Sequence, residues 1–137
     1  MTAWLGVVSA DHVARAVDLG VAQIGHGQKT GLARMGPGDL LVYYSARQTI
    51  GGDPLRAFTA IGRVVDDALW QADEGEFHPW RRKVHYATVT GIVPLADVQG
   101  DLDLCQVRHW GYQLRRGLVE LSVHDARVLS EAFGSTR

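Results

Sequence analysis

Sixteen glycines spread through a 137-residue chain set the first limit on its fold. They fall between apolar runs rather than in a block. Glycine readily interrupts a helix or strand, so the pattern implies many short elements joined by tight turns. No repeat and no low-complexity linker breaks this spacing. The length fits one domain, read here as residues 1–137. A globule of this size buries roughly two-thirds of the surface its unfolded chain exposes, enough for a core without staples. With 46% hydrophobic and 21% charged residues, the chain has the profile of a folded, soluble protein.

The segments between the glycines sort by period and capping signal. Ala3–Val8 reads as a strand rich in β-formers. Ser9 is placed to cap a helix over Ala10–Leu19, with Val13, Ala16 and Val17 on one face, and Gly20 stops it. Val21–Ile24 reads as extended, Gly25–Gly31 as a polar loop, and Leu32–Met35 as a short turn of helix. The turn Gly36-Pro37-Gly38-Asp39 leads into a strand over Leu40–Ser45. Residues 46–54 read as a loop. Two further strands are expected over Ala57–Val65 and Arg82–Val89, and a helical turn over Pro94–Val98. Arg108–Arg116 reads equally as several structures. Ser122 caps a last helix with Val123, Ala126, Leu129 and Phe133 on its inner face. Strands in the middle with helices early and late predict an α+β domain, a small mixed or barrel-like sheet with helices outside.

Several chemistries are excluded by spacing. The single cysteine, Cys105, cannot form an internal disulfide or a cysteine-rich zinc site. The loop Gly25-His26-Gly27-Gln28-Lys29-Thr30-Gly31 fails as a P-loop because Gln28 separates Gly27 from Lys29. It fails as a dinucleotide fingerprint because its third glycine comes one residue late. Its consecutive N–H groups still suit an anion nest. The six histidines lack the i, i+4 spacing of a zinc protease and have no completing ligands. No cofactor, no metal and no catalytic residue is therefore expected, and the chain reads as a non-enzyme. No stretch approaches the roughly 18 to 20 apolar residues of a membrane span. The N-terminal segment lacks the basic and apolar regions of a signal peptide. The expected location is the cytoplasm. Asparagine is absent and arginine outnumbers lysine 12 to 2, which suits a GC-rich bacterial genome.

What remains is aromatic residues beside cations. Phe77-His78-Pro79-Trp80-Arg81-Arg82-Lys83 sets two aromatic rings next to three bases. Rings offer a stacking surface to a nucleobase, and arginine pairs with phosphate or stacks flat. Trp4, Tyr43, Tyr44 and Phe58 lie on the expected strands, facing the core or the same pocket. A second basic stretch, Arg108–Arg116, contains no acid. The net charge of -1 averages these stretches with five acids between Asp66 and Glu76. That balance argues against tight nonspecific duplex binding and allows a short footprint. The acids themselves read as a solvated loop.

Taken in order, these residues resemble the EVE-domain family, relatives of the YTH domain in the PUA-like superfamily. The resemblance runs through Trp4-Leu5-Gly6-Val7-Val8-Ser9, His26-Gly27-Gln28-Lys29 with Leu32-Ala33-Arg34-Met35, and Gly38-Asp39 with Tyr43-Tyr44-Ser45. It continues through Phe58–Val64, Pro79-Trp80-Arg81-Arg82, and Trp110-Gly111-Tyr112 with Arg115-Arg116-Gly117-Leu118. It implies a PUA-like compact, curved mixed sheet with flanking helices. It also implies a module that recognises one modified base, in DNA or RNA, flipped into an aromatic-lined pocket.

Carried over by position, Trp80 matches a cage tryptophan of a Lys-Trp-Lys-Gly-Arg-Phe segment. Ser9 matches the serine closing the first strand, and His26 and Gly27 match the His-Gly of the loop after the first helix. The expected base pocket draws on Ser9, His26, Gly27, Tyr43, Phe58, Phe77 and Trp80. The expected phosphate contacts are Lys29, Arg81, Arg82 and Arg115. YTH domains place a cage tryptophan just before the loop, where this chain has Gln23, Ile24 and Gly25. A second cage tryptophan before Trp80 is also absent, Phe77 being the nearest ring. N6-methyladenine is therefore not carried over, and modified cytosine or adenine both stay open. Two alternatives also stay open: a binder of a free nucleoside or other small molecule, and an enzyme acting on a flipped base.

Overall fold

The computed structural model describes residues 1–24, 29–89 and 91–135. Strand β1 (Ala3–Val7) leads into helix α1 (Ala10–Leu19). Gly20 ends the helix in the left-handed conformation (φ 68°), and its N–H reaches the carbonyls of Ala16 and Val17. Only glycine takes that conformation without steric cost. Ser9 has the extended backbone of an N-cap and its carbonyl accepts from Val13, but its side chain makes no cap. Its hydroxyl donates to the Asp11 carboxylate instead, which holds that carboxyl below its usual range.

After β2 (Val21–Ala22) and α2 (Lys29–Ala33), β3 (Leu40–Arg47) returns parallel to β1. The intervening residues supply the crossover that a parallel pair requires. β4 (Pro54–Gln71), β5 (Trp80–Tyr86), β6 (Val93–Pro94) and β7 (Leu118–Leu121) complete the sheet among the described residues. The order is β2-β5-β4-β3-β1-β7, with β6 on β4. Among the described residues the outer strands β2 and β7 do not pair, so the sheet is open rather than a closed barrel. Helices α3 (Leu95–Val98) and α4 (Val123–Ser135) bracket two short 3-10 segments, Asp103–Cys105 and Trp110–Arg115.

The central strands are buried on both faces. β3 alternates strictly: Leu40, Val42 and Tyr44 enter one core with Phe58, Leu129 and Phe133. Leu41 and Tyr43 enter the other, with Trp4, Val13, Ile24, Leu32 and Val84. A register shift pairs Tyr43 with Ala60 but Tyr44 with Phe58, leaving Thr59 as the extra residue. Such a bulge bends its strand and turns the flanking side chains to opposite faces. Phe58 therefore lies on the face opposite Tyr43, and the two cannot line one pocket. Thr59 and Ser45 share a hydroxyl hydrogen bond of 2.9 Å, and Ser45 donates to the Val8 carbonyl.

Several elements differ from the sequence reading: α2 begins at Lys29, inside the stretch read as a polar loop, and β3 and β4 extend to Arg47 and Pro54 into the loop read over residues 46–54. β4 runs on to Gln71 because Leu69, Trp70 and Gln71 pair again with Arg82, Arg81 and Trp80 of β5, after a lapse between Val64 and Leu69 that leaves Asp66 and Asp67 exposed. β5 begins at Trp80 and ends at Tyr86. β7 follows the basic segment directly. Val123 is 77% exposed, not on the inner face of α4. Ser122 does cap that helix: its hydroxyl accepts from the Asp125 N–H at 3.0 Å.

Candidate functional site

Trp80 opens β5, opposite Gln71 of β4, at the mouth of a hairpin closed by Ala72 N–H on the Pro79 carbonyl. The ring is partly buried against the core that holds Ile24 and Leu32. The ammonium of Lys29, the first residue of α2, stands 4.8 Å from the ring centre. Val8, next to Ser9, packs on the same core. So Trp80, Lys29 and the end of β1 lie on one side of the sheet. His26 and Gly27 fall outside the described residues.

The segment entering that stretch is held by the buried Tyr43 and the partly buried Tyr86. Tyr43 and Tyr86 stack at 6.3 Å and 24°. Tyr86 donates to the Val21 carbonyl at 2.8 Å, and the Tyr43 oxygen accepts from the Gln23 N–H. Burial pushes both phenols above their ordinary range, so both stay neutral. Tyr43 is fully buried. It supports the strand behind the site and does not line it.

The charged residues divide differently from the sequence expectation. Arg82 is 2% exposed and cannot touch a phosphate. Its Nη1 donates to the carbonyls of Leu32 (3.1 Å) and Met35, and its Nη2 to that of Asp66. It is a clamp holding α2 against β4 and β5. Arg81 donates through Nε to Gln23 Oε1 at 3.0 Å and pairs with Glu74 at 3.1 Å. Arg15 of α1 pairs with the other oxygen of Glu74. Glu74 is thus a tie between two elements rather than a solvated loop acid, and it competes with any anion for Arg81. Phe77 is 45% exposed near the hairpin tip. Arg115 closes the 3-10 segment Trp110–Arg115.

Other groups are structural. Asp39 accepts from Thr2 N–H, Trp4 Nε1 and Gly36 N–H at 2.8–2.9 Å. Burial raises its pKa, but these donors outweigh that and hold it below the usual carboxylate range. Asp103, His124 and Asp125 approach within 4.8 Å of one another. Both Asp125 oxygens accept backbone N–H groups, from Asp103 and Leu104, and His124 Nε2 bonds the Asp101 carbonyl. The trio is a cap on the 3-10 turn. A groove of about 740 Å³ opens between α1 and the second half of β5, lined by Val13, Val17, Ala60, Val84 and Tyr86 among others. Neither Trp80 nor Lys29 lines it.

These motifs and this open sheet coincide with a known family. The EVE domain model matches residues 2–132. The chain belongs to the EVE-domain family. A UPF0310 protein of Renibacterium salmoninarum is 50% identical over 134 residues, covering 97% of this chain and 96% of that one. Among solved structures, Rpa0253 from Rhodopseudomonas palustris superposes with a TM-score of 0.64 at 15% identity, covering 100% of this chain and 96% of that one. The Mmi1 YTH domain gives 0.62 at 9%, covering 98% and 75%. The structure of YTH domain-containing protein mmi1 and RNA gives 0.56 at 8%, covering 95% and 81%. The EVE domain therefore has a YTH-like fold. Among the described residues no helix is long and apolar enough to cross a membrane.

Proposed function

We propose that this EVE domain is a binding module, not an enzyme, that holds one modified base of a nucleic acid against Trp80. The observation that carries the reading is a tryptophan at a strand start, half out of the core, with a cation over its ring and no carbonyl or carboxylate bound to its indole N–H among the described residues. The resemblance to YTH domains, one of them solved with RNA, supports the same reading. A cation over an exposed ring contributes about 0.5–1 kcal/mol. A stacked base contributes about 1–3 kcal/mol. An arriving base therefore displaces the Lys29 ammonium, which is then free to meet that nucleotide's phosphate. A modification adding one buried methyl contributes only about 0.8 kcal/mol. Discrimination must come from polar groups that the unmodified base leaves unpaired. Gln23 suits that role because Arg81 Nε can bond only its oxygen, which turns its NH2 donors away from Arg81.

The test is binding of Trp80→Ala to a panel of oligonucleotides, each carrying one modified cytosine or adenine. Affinity should fall about 5- to 150-fold, the factor corresponding to a lost stack, and Trp80→Phe should restore most of it. A Trp80→Ala chain that stays folded and binds like the wild type would remove the ring from the account.

A further inference from the structure

The groove of about 740 Å³ beside α1, which neither Trp80 nor Lys29 lines, has two unlike walls. One wall is the run Val84–Val89, six consecutive residues. Successive side chains of a strand point to opposite faces. A consecutive run therefore lines one groove only where the strand shows its edge. The backbone hydrogen bonds agree. β2 pairs β5 only at Arg82 and Lys83, and the Val84 N–H donates to the Gly20 carbonyl at 3.0 Å. Gly20 is the cap of α1, so no strand continues β2 along β5 beyond that point. The Ala87 N–H turns to β4, donating to the Ile61 carbonyl at 2.9 Å. Tyr86 lies beside Ala87 and two residues past Val84, so it turns its N–H and C=O away from β4, onto the open edge. Neither group has a partner among the described residues.

The other wall is α1. Ala10, Ala14 and Val17, at i, i+4 and i+7, form one apolar stripe along it. Ala14 is exposed and Val17 is 37% exposed. Ile92 stands at the mouth, 42% exposed, with Leu55 half-buried. The edge is preformed, because the Tyr86 ring is stacked on Tyr43 and its hydroxyl is bonded to the Val21 carbonyl. Asp18, near the end of α1, is the one carboxylate among the described lining residues, and no lysine or arginine stands with it. No cation pairs with Asp18 among the described residues. An open N–H and C=O on a strand edge take the backbone of an extended segment, and apolar walls take its alternate side chains. A lone carboxylate selects a cation. Val84–Val89 spans roughly 17 Å at about 3.3 Å per residue, the reach of a short peptide. The helical wall leaves room for one strand and bars the sheet edge of a second copy.

We propose that this groove binds an extended peptide segment of a partner protein. The segment pairs with Tyr86 as a strand added to β5, packs alternate apolar side chains against Ala14, Val17 and Ile92, and sets a lysine or arginine against Asp18. The test is selection from a library of capped random six-residue peptides on the full chain, with Ala14→Trp as the counter-selection. Ala14 is exposed, so the indole fills the groove without entering the core, and the melting midpoint should match the wild type. Val17→Arg, at a second exposed position, is an independent block. Enriched peptides should alternate apolar residues and carry a base at one end. Binding of an enriched peptide should fall about 2- to 12-fold for each β5-facing amide that is N-methylated, the factor for one lost hydrogen bond. Asp18→Asn should weaken it about 1.5- to 5-fold and leave the same peptide with glutamine for its base unaffected. No enrichment over both blocked chains, or equal binding of the N-methylated peptide, overturns the proposal. Self-association that both blocks abolish would overturn it in favour of a second copy. An oligonucleotide that shifts the Tyr86 amide resonance, and that both blocks exclude, would overturn it in favour of nucleic acid.

Discussion

Replacing Arg82 separates a buried clamp from a phosphate contact. Its guanidinium donates to three carbonyls, those of Leu32, Met35 and Asp66, which lie 50, 47 and 16 residues away in sequence. Its Nε is buried with no hydrogen-bond partner among the described residues. The nearest carboxylate, Asp67, is 3.9 Å away with its side chain 87% exposed. So this charge is held by carbonyl dipoles and not by an ion pair. Arg82→Met keeps the stem and removes the guanidinium. Two opposed terms follow. The protein no longer desolvates a cation, which favours the variant. Three carbonyls lose a charged donor, at about 1–3 kcal/mol each if no water replaces it. A net loss of about 3–5 kcal/mol is expected, in the range for removing one side of a buried charged network. At roughly 3–5 °C per kcal/mol for a chain of this size, the melting midpoint should fall by about 10–25 °C. Arg82→Lys should rescue little, since one ammonium cannot span three acceptors in the guanidinium's plane. The assays are thermal and urea unfolding together with oligonucleotide binding below the midpoint. A variant with an unchanged midpoint and a reduced salt slope of binding would refute the clamp and restore Arg82 to the phosphate contacts.

Two further outcomes test the frame around the site. Asp39→Asn should destabilise the fold by about 1–3 kcal/mol near neutral pH, because one amide oxygen cannot serve three N–H donors. Since the folded pKa lies below the ordinary value, wild-type Asp39 contributes fully above about pH 3.9 and loses that contribution as pH falls through the folded value. Urea midpoints of the two chains should converge in acid, and a constant gap down to that range would count against the carboxylate. Gly62→Ala should be worse than an ordinary glycine replacement. Its Cβ would meet the His85 carbonyl oxygen at 2.7 Å and Tyr86 and Val84 at 2.9 Å. The cost should be about 1–3 kcal/mol from overpacking between β4 and β5, read as a lower midpoint with an unchanged urea slope.

Much of the fold could be read from local patterns. Glycine spacing, the αL stop at Gly20 and the continuous apolar run of Leu40–Ser45 each act over a few residues, and the elements they imply are present. The site was less legible. Tyr43, Tyr44 and Phe58 look alike in sequence, but the pleat of β3 sends the two tyrosines to opposite faces and the Thr59 bulge in β4 puts Phe58 with Tyr44. Glu74 looks like a solvated acid until the hairpin brings it between Arg15 and Arg81. β7 was hidden because four residues after a basic segment carry too little period to declare a strand.

The α+β class, the placement of most elements and the presence of aromatics beside cations follow from the order of residues alone. Those features depend on periodicity, turn residues and composition, which are local. Which of those cations face solvent depends on the folded arrangement. Arg81, Arg82 and Arg115 are the same residue type in similar basic surroundings. One meets a carboxylate, one three backbone carbonyls and one no carboxylate among the described residues. The partners that make the difference come from distant parts of the chain, and only the folded sheet brings them within reach.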